Sequence, residues 1–259
     1  MFMIAAIDFS PTHVGIALIG AFCLGFSKTG FPGLAILNVL IIAELFGARE
    51  SVGIILPLLI VCDLIVFPMF RKFATWSQIW PLLPATLIGI VGGVWLLARI
   101  GNETAKPIIG GIILTMVALQ LLREYKRSFL EHLPDSRPFR WISCGGIGVS
   151  TMLANAAGPV YSIYALVHRM KKEEFLGIGA RFFLLVNVIK FPILAFGIPG
   201  VGQLALINAE SLKLDLMLLP GIVAGILLGR KLIAIVPQRV FEWLLYGFSL
   251  IAGLRMVLG

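Results

Sequence analysis

Charge is scarce in this chain. Asp, Glu, Lys and Arg make up 13% of its 259 residues, about half the ~25% share of a water-soluble domain. That shortage excludes a soluble globule, because there is too little polar surface to clothe one. Cysteine is scarcer still: Cys23, Cys62 and Cys144 lie in or at the edge of apolar runs, with no CxxC spacing. They read as small packing residues, and neither a disulfide framework nor a metal site is expected. The opening stretch MFMIAAIDFSPTH has no Lys or Arg, so the positive start of a cleaved signal peptide is missing. The first apolar segment is expected to stay in the mature protein. Catalytic signatures are absent as well. His13, His132 and His168 are scattered, and there is no HExxH, Walker loop or GxSxG, so no enzyme and no cofactor are expected.

What is present in abundance is hydrophobicity, at 59% of residues with a mean hydropathy of +1.01. A helix crosses the hydrocarbon core with ~20 apolar residues, and such runs recur along the whole chain. Ten segments stand out, at roughly 12–27, 32–46, 50–70, 78–98, 104–122, 140–154, 158–168, 175–196, 213–233 and 238–257. The expected fold is therefore an all-α, polytopic membrane protein, with one membrane transport domain over 1–259. The net charge of +8 is dispersed among short loops, so the bilayer is the expected partner and nucleic acid is not.

Four of the segments are short. They form two pairs, each interrupted by a Gly/Pro-rich turn: SKTGFPG at 27–33 and NAAGP at 155–159. Such pairs read as hairpins of half-helices whose turns lie at membrane depth. The chain also repeats. At an offset of 136, Leu83-Pro84 matches Leu219-Pro220, and Gly89, Gly93 and Gly111 match Gly225, Gly229 and Gly247. At an offset of 124, Gly53, Asp63 and Pro68 match Gly177, Asn187 and Pro192. This spacing predicts a first repeat of about 12–122, a linker of about 123–139 and a second repeat of about 140–257. Five segments per repeat is an odd number, so the second repeat is expected to be inverted.

Positive charge gives the orientation. If the loop with Arg71 and Lys72 is cytoplasmic, alternation places thirteen basic residues inside and five outside, as the positive-inside rule requires. The chain is then expected in the cell (inner) membrane with both termini outside.

Inverted repeats with broken helices are a recurring plan of secondary transporters, with substrate held near the midplane. A half-helix N-terminus offers free N–H groups and partial positive charge, which suits an anion. Such termini are expected just after Gly30 and Gly158, with Pro32 and Pro159 in the first turns. Ser27, Lys28 and Thr29 flank the first turn, and Ser150, Thr151 and Asn155 the second. These groups either contact an oxyanion or cap the half-helices, while Gly30, Gly33 and Gly158 also suit close helix packing. Charges inside apolar runs cost roughly 2.5–3.5 kcal/mol on insertion scales and default to functional roles. Here they are Lys28, Asp63, Arg181 and Lys190. Lys190 shares a helix face with Asn187, three residues before it. Asp63 reads either as part of an interior ion pair or cap, or as a titrating carboxylate that couples transport to protons. Arg181 is out of phase with Lys190 and close enough to the surface to snorkel.

The motifs GFSKTGFPG at 25–33, GARESVGIILPLLIVCD at 47–63 and WSQIWPLLP at 76–84 together resemble the TauE/SafE family. This is the sulfite exporter, or toluene-sulfonate uptake permease, family. MLANAAGPVYSIYAL at 152–166 and RFFLLVNVIKFPI at 181–193 extend the resemblance over nearly the whole chain. One departure is Asn38-Val39, where many relatives carry Pro; the second half-helix is expected to be straighter here. The resemblance implies a small transporter of sulfur-containing oxyanions such as sulfite, sulfoacetate or other organosulfonates. It places the glycine-rich hairpins at Ser27 to Gly33 and Asn155 to Pro159, and the polar mid-helix positions at Asp63, Asn187 and Lys190.

Residues and resemblance together lead to a secondary transporter of small anions, working by alternating access as an exporter, with protons as the candidate coupling ion. Two other classes stay open on residues alone: a channel-like anion conduit, and a non-transporting membrane partner that docks through the 123–140 loop.

Overall fold

The computed structural model describes residues 10–29, 32–134, 136–202 and 204–232, with 250, 254 and 256–258 near the end of the chain. The tenth apolar segment, 238–257, and with it Gly247, thus lies almost wholly outside the described residues. Those residues form an all-helical bundle, with no strand among them. Five helical stretches are long and apolar enough to span a membrane: Ala48–Phe73, Trp76–Leu97, Asn102–Tyr125, Lys172–Phe196 and Ala209–Leu232. They contain α3 (Ala48–Phe70), α4 (Leu83–Leu97), α5 (Asn102–Tyr125), α9 (Lys172–Phe196) and α10 (Ala209–Leu232).

The remaining apolar helices come in two pairs. The first is α1 (Pro11–Ser27) and α2 (Ala35–Phe46), the latter led in by a 3₁₀ turn at Pro32–Leu34. The second is α7 (Arg137–Ala154) and α8 (Gly158–Val167). A five-residue helix, α6 (Arg127–Glu131), lies in the linker between the halves. Both pairs are hairpins that return to the face they came from. The ring of His13, at the start of α1, lies 6.4 Å from that of Phe46, at the end of α2. Phe139, at the start of α7, stands 6.3 Å from His168, just past α8.

α3 and α9 pack against each other at the centre and run antiparallel. Arg181, early in α9, donates to the carbonyls of Arg71 and Ala74 just past the end of α3. At the other end Leu206, beyond α9, packs on Gly53 near the start of α3. One hairpin leads directly into α3 and the other into α9. The two hairpins therefore dip into the bundle from opposite faces.

Glycine lets the long contacts close. α1 packs along α10 and α4 along α7 as the two most extensive helix pairs. A methyl group on Gly25 would collide with the Ile222 carbonyl, and one on Gly148 with the Thr86 carbonyl. One on Gly225 would strike the Phe22 carbonyl, and one on Gly89 the Gly145 carbonyl. These are the same two contacts made twice, because Ile222 and Gly225 lie 136 residues beyond Thr86 and Gly89. A similar match links Gly53, against Leu206, with Gly177, against Phe73 and Ala74. Each places a loop of one half on the long central helix of the other. Lipid offers no hydrophobic drive for helices to associate, so van der Waals packing at small residues supplies it.

The direct check is substitution of these glycines. Gly89→Ala and Gly225→Ala should each destabilise the bundle by about 1–3 kcal/mol or more, since backbone faces the new methyl. Gly92→Ala, which meets nothing within 4 Å, should leave the monodisperse yield in detergent unchanged.

Candidate functional site

Each hairpin tip has a local cause. α7 stops at Ala154 because Asn155 turns into the left-handed region, at φ 51° and ψ 26°. Asn tolerates that conformation better than most side-chain-bearing residues. Three residues after Asn155, α8 begins at Gly158, with Pro159 in its first turn where a missing N–H costs nothing. At the other tip α1 ends at Ser27 with Lys28 as its C-cap, and Gly33 is buried within the 3₁₀ turn that follows. Gly30 lies outside the described residues.

The two tips reach the middle of the antiparallel pair α3 and α9, where a polar chain connects all four elements. Lys28 Nζ lies 2.6 Å from Asp63 Oδ1 in an ion pair. Asp63 is thus part of an interior pair, one of its two sequence readings. Its other oxygen accepts from Asn187 Nδ2 at 2.8 Å. Asp63 and Asn187 are the two positions that the 124-residue offset matched, and here they touch.

On the far side of Asn187 sits Lys190, a fully buried residue. Its Nζ donates to the Thr151 carbonyl at 2.8 Å, to Thr151 Oγ1 at 3.0 Å and to Asn155 Oδ1 at 2.7 Å. Three acceptors are what the three protons of an ammonium require, and all three are neutral. Asn187 Oδ1 lies at the edge of reach, 3.5 Å away. Asn155 completes the chain by donating from Nδ2 to the Val52 carbonyl at 3.0 Å. The cluster thus brings two lysines and one carboxylate together, an arrangement rich in donors that suits an anion.

A cavity of about 90 Å³ opens beside this cluster. Lys28, Asp63, Thr151, Asn155 and Asn187 form its polar end, with Ser27, Ala157 and Gly158 alongside. The first-turn N–H groups of α8 have no intrahelical partner, and Ala157 and Gly158 place that helix N-terminus in the wall. The rest of the lining is apolar, chiefly Tyr161, Phe175, Leu176 and Phe183. From Phe175 to Asn187 the cavity follows about 18 Å of α9, at 1.5 Å per residue. It therefore runs from the face where α9 begins, which carries the exposed Arg71, Lys72, Lys171 and Lys172, to mid-bundle.

Not every residue singled out in the sequence meets there. Thr29 donates to the Phe26 carbonyl at 2.7 Å and crowds Gly229 of α10. Ser150 donates to the Gly146 carbonyl within its own helix at 2.8 Å, and Ser27, though in the wall, donates to the Leu24 carbonyl at 2.7 Å. Arg181 binds the loop carbonyls after α3 and lies over Phe67 and Trp76, at 5.3 and 5.1 Å. Its role in this structure is to tie that loop down.

Two wall residues escaped sequence reasoning. Tyr161 donates to the Phe175 carbonyl at 2.8 Å and stacks on its ring, while Phe183 lies 5.3 Å from Lys28 Nζ in cation–π range. A hydroxyl one turn into α8 could have flagged Tyr161. Nothing in spacing sets Phe183 apart from the chain's other phenylalanines.

Comparison with known proteins gives one result. The family model described as "Sulfite exporter TauE/SafE" matches residues 15–256. No curated protein matches the chain, and no solved structure does.

The buried pair makes a stability prediction. Asp63→Ala should cost about 3–5 kcal/mol in detergent unfolding, because it strands Lys28 without a counter-charge. The double variant Lys28→Met/Asp63→Leu should recover most of that loss, as read from thermal unfolding of the purified protein.

Proposed function

The chain belongs to the TauE/SafE sulfite exporter family and is a multi-pass membrane transporter; from that premise we propose that it is a secondary transporter exporting small sulfur oxyanions by alternating access. The observation that carries the choice of an anion is the cavity's polar end, where Lys28 and the N-terminus of α8 meet beside the buried Lys190. The cavity supports a small cargo. At ~15 Å³ per water its 90 Å³ holds about six waters, which suits sulfite or a sulfonate with a short carbon chain. Lys28, the Asn155 and Asn187 amides and the start of α8 supply donors, and the aromatic wall accepts a short apolar tail.

In this reading the two halves are inverted repeats, and the duplicated glycine contacts support that relation. The hairpins hold the anion between them near the midplane, as in other transporters of inverted design. The basic face is cytoplasmic under the positive-inside rule, so the cavity receives cargo from the cell interior. Asp63 and the anion compete for Lys28. Binding of the anion frees the carboxylate to accept a proton, so anion and proton travel together and the flux responds to a pH gradient.

Purified protein in liposomes tests both parts. Sulfite or a short sulfonate should move with saturation, and Lys190→Gln and Lys28→Ala should each lower the flux at least tenfold. Well-folded protein that moves nothing in a broad oxyanion panel would overturn the reading, and flux linear in sulfite would mark a conduit instead. Asp63→Asn should retain measurable flux but lose its response to a pH gradient. Flux of that variant that still follows the gradient would rule out Asp63 as the coupling group.

A further inference from the structure

The central helices are matched in sequence but not in exposure. On α9 the stripe Phe175, Gly179 and Phe183 is half-buried and lines the cavity down to Asn187. The offset of 124 maps these positions onto Ser51, Ile55 and Leu59 of α3, leading to Asp63. There Ser51 and Ile55 are closed, at 1% exposure each, and only Leu59, next to Asp63, reaches the inner end of the cavity. Because α3 and α9 run antiparallel, the closed stripe points to the face opposite the basic one.

We propose that a second access route, shut in this structure, runs from that opposite face along Ser51, Ile55 and Leu59 to Asp63, with the Asn155–Val52 hydrogen bond as its latch. This deepens the transport reading above and rests on it.

Three observations support the route. The latch joins the tip of the second hairpin to α3 within the closed stripe, whereas Leu176, the match of Val52 on α9, lines the open cavity. Asn155 also holds Lys190, so an anion that draws on either group weakens the latch. This links occupancy to opening.

Second, Arg49 lies three residues before Val52 on the same helix face. It is only 6% exposed, and its Nε and Nη2 have no partner. Its neighbour Glu50 folds back against Gly47. Two buried guanidinium nitrogens without acceptors are costly when the route is shut. With the route open Arg49 becomes the first cation that an anion meets.

Third, Asn38 of α2 is fully buried with neither amide atom partnered. It sits one turn beyond Ala35, which lines the cavity, toward the same opposite face. Its Nδ2 lies against Gly20 of α1; buried amides are ordinarily satisfied, and water reaching the α1–α2 contact from an opened route would satisfy this one. Both groups therefore favour opening, against the packing that keeps the route shut.

Cysteine labelling tests the route without relying on the cargo. With Cys23, Cys62 and Cys144 replaced by Ala, single variants Ile55→Cys, Ser51→Cys and Phe175→Cys are reconstituted in liposomes of known orientation. A membrane-impermeant thiol reagent is then applied from one side at a time. Phe175→Cys should react from the basic face, and Ile55→Cys and Ser51→Cys from the opposite face. Adding Asn155→Gly, which keeps the left-handed backbone but removes the latch, should raise Ile55→Cys labelling at least threefold and lower that of Phe175→Cys.

The route is overturned if neither Ile55→Cys nor Ser51→Cys reacts from the opposite face, with or without the latch, in protein that still moves sulfite. Labelling in the expected pattern without sulfite flux would uphold the route and retire the cargo. Arg49→Gln should raise the sulfite KM at least fivefold when sulfite is supplied from the opposite face. An equal rise from both faces would remove Arg49 from the route.

Discussion

An ammonium buried among neutral acceptors organises the centre of this membrane protein. Lys190 can stay inside only because α7 ends beside it. The Thr151 carbonyl accepts both the Asn155 N–H, at 3.1 Å, and Nζ, at 2.8 Å, and the left-handed turn at Asn155 brings its side-chain amide within 2.7 Å of Nζ. An unbroken helix would have carried that amide past. The broken hairpin is therefore both the cause of the binding site and the means of tolerating its charge. Charge inside a bilayer is costly and marks functional candidates, and here Lys28, Asp63 and Lys190 gather at one point.

That centre depends on backbone being brought close to backbone. Gly25, Gly89, Gly148 and Gly225 let the first helix of each hairpin lie against a long helix of the other half. This crosswise packing holds both tips at the depth of Asp63 and Asn187, so that the Lys28–Asp63 pair and the Lys190 cluster join through one asparagine. Arg181 and Tyr161 work at the margin, the first tying a loop to the start of α9 and the second stacking on Phe175 at the cavity mouth. The tight, duplicated contacts form a frame, and the difference in burial between the matched stripes of α3 and α9 is what allows one face to be open while the other is shut.

Much of this was legible in the residues. Low charge and long apolar runs required a helical membrane domain, and the Gly/Pro turns marked hairpins rather than full spans. The offset matched Asp63 with Asn187, and the fold brings these two positions into contact. Other features were not legible, because rotation about a helix axis is set by packing and not by position in the chain. Lys28 and Thr29 are neighbours in sequence, yet one faces the cavity and the other α10. Arg181 and Lys190 are both cations in one apolar helix, but only the inner one joins the cluster. The partner of Val52 could not be read at all, since it lies 103 residues away.

The sequence by itself determined the solvent, the helical class, the places where helices break and the few charges that could not be casual. Each of these follows from local chemistry: hydrophobic length, the conformations open to Gly, Pro and Asn, and the cost of a charge in lipid. Tertiary structure decided which charges are paired, and it decided that the hairpins dip from opposite faces with a cavity among the described residues running from the basic face to the centre. Those outcomes depend on contacts between residues a hundred or more positions apart, where close packing selects one arrangement from many that the local chemistry allows.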